Sequence, residues 1–338
     1  MGQDFYAAEQ QRITKMPLCR RDIRKARWYE EVSEFFDIDS EVLTRVAPQS
    51  ATPKPRERAL QKSAMEQLMR DFMSEGDRRL LEKVRSANPE DLSDQERSSS
   101  WREYIFVCIN GERSSFQRLD LYEKIINCVV RPLLGRKTHL SVLDYGCGSS
   151  LLTRLLSQDF PGRVSTISAD VCEYSIAFSV ARNKLYNENA SDLLIKDVMS
   201  VPSIENMDLV FANNVFEHLP NATHQIRGLI AALGSSGILV ENYPGNPNRI
   251  PPKSDTLNSH HSRSDNLDML KNSLQLVDGT LPEKHNGLYG EDTGTRIWAT
   301  PGGKEADLAA IKRCLEIYSR PWNRASRLLH RWRRRNLA

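Results

Sequence analysis

His139-Leu-Ser-Val-Leu-Asp-Tyr-Gly-Cys-Gly-Ser-Ser150 runs from an apolar strand into a turn bearing two glycines, and the apolar stripe Leu151, Leu152, Leu155, Leu156 follows at once. Val142 and Leu143 supply the strand, Gly146 and Gly148 let the backbone turn with no Cβ in the way, and Ser149 or Ser150 is placed to cap the helix. A strand, a glycine turn and a helix in that order form a loop against which a nucleotide-like ligand lies on main chain. The next glycine of a dinucleotide fingerprint would fall at Leu151, so a pyrophosphate binder is disfavoured, and no Gly-Lys-Ser/Thr run supports a P-loop.

Outward from this turn, short apolar runs alternate with helical patterns up to about residue 300. Val164 to Asp170, Asp192 to Lys196, Met207 to Ala212 and Gly237 to Glu241 read as strands, with weaker candidates at Leu274 to Val277 and Thr295 to Ala299. Ile226, Leu229, Ile230 and Leu233 form one helical face, and a helix is expected from Ser264 through Leu267, Leu270 and Leu274. Such alternation marks a mainly parallel sheet with helices on its faces, whose ligand site lies at the carboxyl edge of the strands. Asp170, 22 positions after Gly148, ends the second strand and suits the two hydroxyls of a ribose, because a carboxylate offers two acceptor oxygens.

These ordered motifs resemble those of class I S-adenosylmethionine-dependent methyltransferases, over residues 139 to 300. Val-Leu-Asp144-Tyr-Gly146-Cys147-Gly148 is similar to the family's first motif, with Ser150 where a glycine is often found. Asp170 matches its ribose-holding acid, Lys196-Asp197-Val198 its third-strand motif, and Asp208 through Asn213, Asn214, Glu217 and His218 its fourth. The resemblance implies S-adenosyl-L-methionine as cofactor, held by Asp144, Gly146, Cys147, Gly148, Asp170, Val171, Asp197, Val198 and Asn213. It also implies an α/β fold: a seven-stranded, mostly parallel, Rossmann-like sheet with helices on both faces, preceded by an N-terminal helical region.

Methyl transfer from a sulfonium asks the protein chiefly to align donor and acceptor, and needs a base only when the acceptor carries a proton to lose. Glu217, His218, Glu241, Tyr243, His260 and His261 stand near the carboxyl edge. Of these, His261 in the proline-rich segment Tyr243 to Arg263 is the first choice for base or orienting group, with His218 and Glu217 beside it. No metal is expected, since Asn214 occupies a place where a carboxylate would serve. Cys147 lacks a base and is read as a packing residue.

Composition narrows the acceptor. With 338 residues, 39% of them hydrophobic, and a formal charge of +3, the chain buries a full core but is not built to coat nucleic acid. Six scattered cysteines without a Cys-x-x-Cys pair suit a reducing, cytoplasmic setting, and no run is long enough to span a membrane.

Three regions follow: a helical cap or substrate region over 1–135, the methyltransferase domain over 136–302, and a C-terminal helix with a tail over 303–338. Stripes at Trp28 to Phe36 and Leu60 to Phe72 are helical, Ser86 to Ser100 reads as a loop, and Trp101, Tyr104, Phe106 and Phe116 offer an aromatic wall. From Ile317 on there is no acidic residue, while seven arginines from Arg320 to Arg335 surround Trp322, Leu328, Leu329 and Trp332. That pattern suits peripheral contact with an anionic membrane or a nucleic-acid backbone. The expected activity is methylation of an oxygen or nitrogen acceptor on a small molecule or saccharide. An RNA or protein methyltransferase, or a non-catalytic binding module, is the alternative.

Overall fold

A computed structural model of the chain describes residues 75–99, 121–186 except 149, 190–196, 199, 202–245, 251–252, 255–290 and 294–319. The stripes before residue 75, the aromatic segment 101–116, Ser149, Asp197, Val198 and the arginine-rich tail lie outside them.

Helices α1 (Glu75–Ser86) and α2 (Asp94–Ser99) come first. A π-helical stretch, Ile126–Val130, then runs into the short α3 (Arg131–Leu134). Strand β1 (Leu140–Tyr145) and helix α4 (Leu151–Asp159) carry the opening motif, followed by β2 (Val164–Asp170), α5 (Glu173–Tyr186) and β3 (Ala190–Leu194). Strand β4 (Met207–Asn213), a 3-10 turn over Phe216–His218, α6 (Ala222–Ala232), β5 (Leu233–Asn242) and α7 (Leu257–Ser273) follow. Strand β6 (Gln275–Asp278), a small hairpin of β7 (Lys284–His285) and β8 (Leu288–Tyr289), β9 (Arg296–Ala299) and α8 (Glu305–Ser319) end the described chain.

The seven-stranded sheet has the order β3-β2-β1-β4-β5-β9-β6. Strands β1 to β5 are parallel, and β9 runs antiparallel to both β5 and β6. Successive side chains point to opposite faces of a strand, so a strand covered on both sides reads as a continuous apolar run. Val142, Leu209, Phe211, Val240 and Ile297 pack on one face with Ile125, Val129, Leu152, Leu156 and Ile311. Leu143, Val210, Ala212, Leu239 and Trp298 pack on the other with Ile226, Leu229, Leu267 and Leu270. The expected seven-stranded, mostly parallel sheet with helices on both faces is therefore present, and residues 121–134 and 305–319 share its core. Among the described residues no helix is long and apolar enough to cross a membrane.

Three local expectations are corrected. The stretch Ser86 to Ser100 is not all loop: Ser93 and Glu96 bond each other's backbone N–H as a capping box, at 3.0 and 3.3 Å, and start α2. Helix α7 begins at Leu257, seven residues before Ser264, because Thr256 caps it by accepting from Ser259 N at 3.3 Å. Asp94 of α2 completes that cap, its carboxylate accepting from Leu257 N at 2.6 Å and Asn258 N at 3.2 Å. The third strand spans Ala190–Leu194 and not Asp192 to Lys196.

Arg97 reinforces the same junction. Fully buried, it donates to the carbonyls of Leu92, Pro89, Pro252 and Asp255, so α2 clamps the chain that leads into α7.

Glu241, a candidate near the carboxyl edge, is spent on the sheet. Arg296 on neighbouring β9 donates Nε to Oε1 at 2.6 Å and Nη2 to Oε2 at 3.1 Å, and Trp298 Nε1 adds a bond at 2.8 Å. Both ions are fully buried. Removing one member of such a pair strands the other, at a cost of about 3–5 kcal/mol. Glu241→Gln is expected to lower unfolding stability by roughly 3 kcal/mol in urea titrations; a loss below about 1 kcal/mol would contradict this reading of the pair.

Candidate active site

The glycine turn leaves β1 beneath β2. Gly146 N and Cys147 N both donate to Ala169 O, at 2.8 and 3.1 Å, which folds the turn back over the end of β2. Gly146 has φ +66°, and a Cβ there would stand 2.5 Å from Val215 Cγ2, so only glycine lets the segment after β4 close against the turn. Gly148 has φ +52° with open space where its Cβ would lie. The first glycine serves packing; the second keeps a surface of bare main chain clear.

Asp170 braces this surface. Its Oδ2 accepts from Gly148 N at 2.9 Å and its Oδ1 from Cys172 N at 2.8 Å. Burial raises its pKa, and the backbone N–H groups of Cys172, Gly148 and Val171 pull it back down. A carboxylate has about four acceptor sites, so with these three N–H groups engaged acceptor capacity remains for a ribose hydroxyl. The open face at Gly148 and this spare capacity fit S-adenosylmethionine.

The other expected cofactor residues divide. Asp144 is buried and accepts from Thr153 Oγ1 of α4 at 3.3 Å, a contact that ties the helix to its strand. Cys147 is buried, and burial first, then Asp170 and Asp144, push its thiol well up, which keeps it protonated. Val171 packs beside the core. Asn213 ends β4 and accepts from Thr295 Oγ1 at 3.3 Å, while Asn242 at the end of β5 donates to Asn214 Oδ1 at 2.9 Å.

Ser150 does not cap α4. It sits at φ +51°, ψ +37° with no side-chain cap bond, so the position that favours glycine carries a strained serine. Crowding of the Cβ against the following carbonyl oxygen in that region costs about 1–2 kcal/mol.

Beyond the ends of β4 and β5 a small cleft is lined by Glu217, Tyr243, Pro244, Asp255, His260 and Arg263. Glu217 is buried, and His218 lies between two carboxylates, its Nε2 3.6 Å from Glu217 Oε1 and its Nδ1 3.3 Å from Asp255 Oδ1. Tyr243 is fully buried; its hydroxyl donates to Ser259 O at 2.7 Å, and burial raises its pKa to about 12, which removes it as a base. His260 and His261 stand on α7 and not in a loop, with rings 5.9 Å apart. His261, the expected base, is exposed; His260, half-buried, faces the cleft. Burial first, then the neighbouring His261, lower the pKa of His260, so its imidazole is neutral near pH 7.

Arg263 and Asp255, absent from the sequence-based candidates, complete the cleft. Knowing that the helix starts at Leu257 brings them in, since 260 and 263 then share one face.

Replacing Ser150 by glycine removes the strained Cβ, while added freedom of the unfolded chain takes back about 0.5–1 kcal/mol. Ser150→Gly is therefore expected to raise the urea midpoint slightly, by up to about 1 kcal/mol of stability; a lowered midpoint would show that the hydroxyl makes a contact worth more than the strain.

Residues 117–298, more than half of the chain, match the family described as "Methyltransferase domain". The malonyl-[acyl-carrier protein] O-methyltransferase of Acetivibrio thermocellus is 29% identical over 127 residues, 36% of this chain and 43% of that protein. The Bacillus cereus protein of the same name is 27% identical over 135 residues, 39% of this chain and 49% of that one. The chain thus spans about half the length of the curated relatives it matches. A solved N-methyltransferase, NodS from Bradyrhizobium japonicum with S-adenosyl-L-homocysteine, aligns with a TM-score of 0.38 at 16% identity, over 54% of this chain and 86% of its own. With the glycine turn, Asp170 and the seven-stranded sheet in their expected order, the chain belongs to the class I S-adenosylmethionine-dependent methyltransferase family.

Proposed function

We propose that this chain transfers a methyl group from S-adenosylmethionine to an oxygen or nitrogen of a small molecule or saccharide, in the cleft beyond β4 and β5. The observation that carries this reading is the position of His260. A neutral imidazole lines the cleft beyond β4 and β5, on a helix fixed at its start by Asp94, Thr256 and Arg97.

Bound at the glycine turn, the cofactor supplies an electrophilic methyl group. Gly146, Gly148 and Asp170 would hold it, and by the resemblance Asp197 and Val198 would meet the adenine. His260 accepts the proton that a hydroxyl or ammonium acceptor must lose, and its lowered pKa keeps it able to do so at neutral pH. Glu217 and His218 act as positioning residues: the buried carboxylate and Asp255 hold the His218 ring between them and fix the turn after β4. Residues 75–99 serve as part of an acceptor-side cap, because α2 grips both the approach to α7 and its first amides.

The finer reading is tested by incubating the full chain and labelled S-adenosylmethionine with separate metabolite, RNA and protein extracts. Label is expected in the metabolite fraction; label confined to RNA or protein would overturn the acceptor class. Once an acceptor is found, kcat/KM is expected to fall on an acidic limb below the ordinary histidine value of about 6.5. His260→Asn is expected to remove that limb and lower the rate by about 10²–10⁴ with S-adenosylhomocysteine affinity retained. An unchanged profile in the variant would dismiss His260 as base.

A further inference from the structure

Arg263 follows His260 by one turn of α7 and is 3% exposed. Its Nε donates to Tyr243 O at 3.2 Å, and its Nη1 to Tyr289 O and Gly290 O, each at 3.2 Å. Nη2 is buried and has no hydrogen-bond partner among the described residues. Both oxygens of Glu241, the acid whose field it feels, are already bonded by Arg296. Neutral carbonyls therefore hold a guanidinium that keeps its charge at any physiological pH. A buried charge whose hydrogen bonds all go to neutral dipoles is poorly offset.

The three carbonyl bonds also fix the plane of the fork. Gly245 lies so close that a Cβ there would stand 2.9 Å from Arg263 Cδ, so main chain closes on the stem and the head cannot swing. What remains is a rigid cation with one unspent donor edge, and Arg263 is among the residues that line the same cleft as His260. Glu217 and Asp255 line the same cleft, and each lies within 4 Å of His218. Arg263 is the arginine of that lining and so its natural partner for an anionic group.

We propose that the Nη2 edge of Arg263 binds a carboxylate of the acceptor, so that the substrate is a small carboxylate-bearing molecule whose methyl-accepting atom lies near His260. Residues three apart on a helix stand about 5–6 Å apart at Cβ, so the accepting atom and the carboxylate are separated by only a few bonds. This inference rests on the acceptor-cleft reading above.

Thermal unfolding of the full chain saturated with S-adenosylhomocysteine, titrated with acetate, inorganic phosphate or chloride at constant ionic strength, tests it. Acetate is expected to raise the midpoint saturably with one-site dependence, phosphate more weakly and chloride not at all. R263Q is expected to lose the acetate effect while binding S-adenosylhomocysteine within threefold of the parent. If R263Q does not fold, R263K, which keeps the charge but not the fork, is expected to bind acetate at least tenfold more weakly. An equal, unsaturated response to all three salts, a stronger response to phosphate, or acetate binding unchanged in the variant overturns the proposal. Failure of the cofactor reading shows separately as no S-adenosylhomocysteine binding, and the acetate series is then read on the chain alone.

Discussion

One buried carboxylate organises the glycine turn at the carboxyl edge of the sheet. Asp170 bonds the amide of Gly148 in the turn after β1 and the amide of Cys172 in the turn after β2, so a single side chain joins both loops at the carboxyl edge. Hydrogen bonds to a charged acceptor contribute about 1.5–3 kcal/mol each, enough to offset much of the desolvation that raises the pKa of Asp170. Gly146 folds the same turn onto Ala169, and Val215 closes it from the β4 side. The surface that results is main chain, shaped by glycines and braced by one acid.

The cleft beyond β4 and β5 is organised by contacts between distant parts of the chain. Helix α7 presents His260 and Arg263, yet its start is set by Asp94 and Arg97 from α2 and by Thr256, whose hydroxyl donates to Leu219 O at 2.9 Å. Tyr243, at the exit of β5, reaches Ser259 and pins the first turn from below. The glycine turn follows from local turn chemistry, and the cleft from polar contacts that span the fold.

This difference decides what the sequence shows. The strand-glycine-helix motif, Asp170 and the sheet were legible because each depends on residues close in sequence and on apolar periodicity. The start of α7 was not, since Asp94 lies 163 residues before the amide it caps and the stretch Asn258 to Arg263 buries polar groups and not an apolar stripe. Choosing between His260 and His261 requires the phase of that helix, because one residue turns a side chain about 100° around the axis. Two signals were present but unused. Ser93-Asp-Gln-Glu96 spells a capping box, and Asn286-Gly287, both at positive φ, marks the β7–β8 hairpin whose Tyr289 carbonyl holds Arg263. Ser150 shows the converse: local capping preference pointed to a helper where the backbone holds a strained residue.

If the braced glycine turn is the cofactor site, its affinity must depend on Asp170. Isothermal titration of S-adenosylhomocysteine into the full chain and into Asp170→Asn is the most direct measurement. One equivalent bound by the parent, with affinity at least tenfold lower in the variant, is the outcome expected. No heat from the parent, or equal binding by both, would contradict the account.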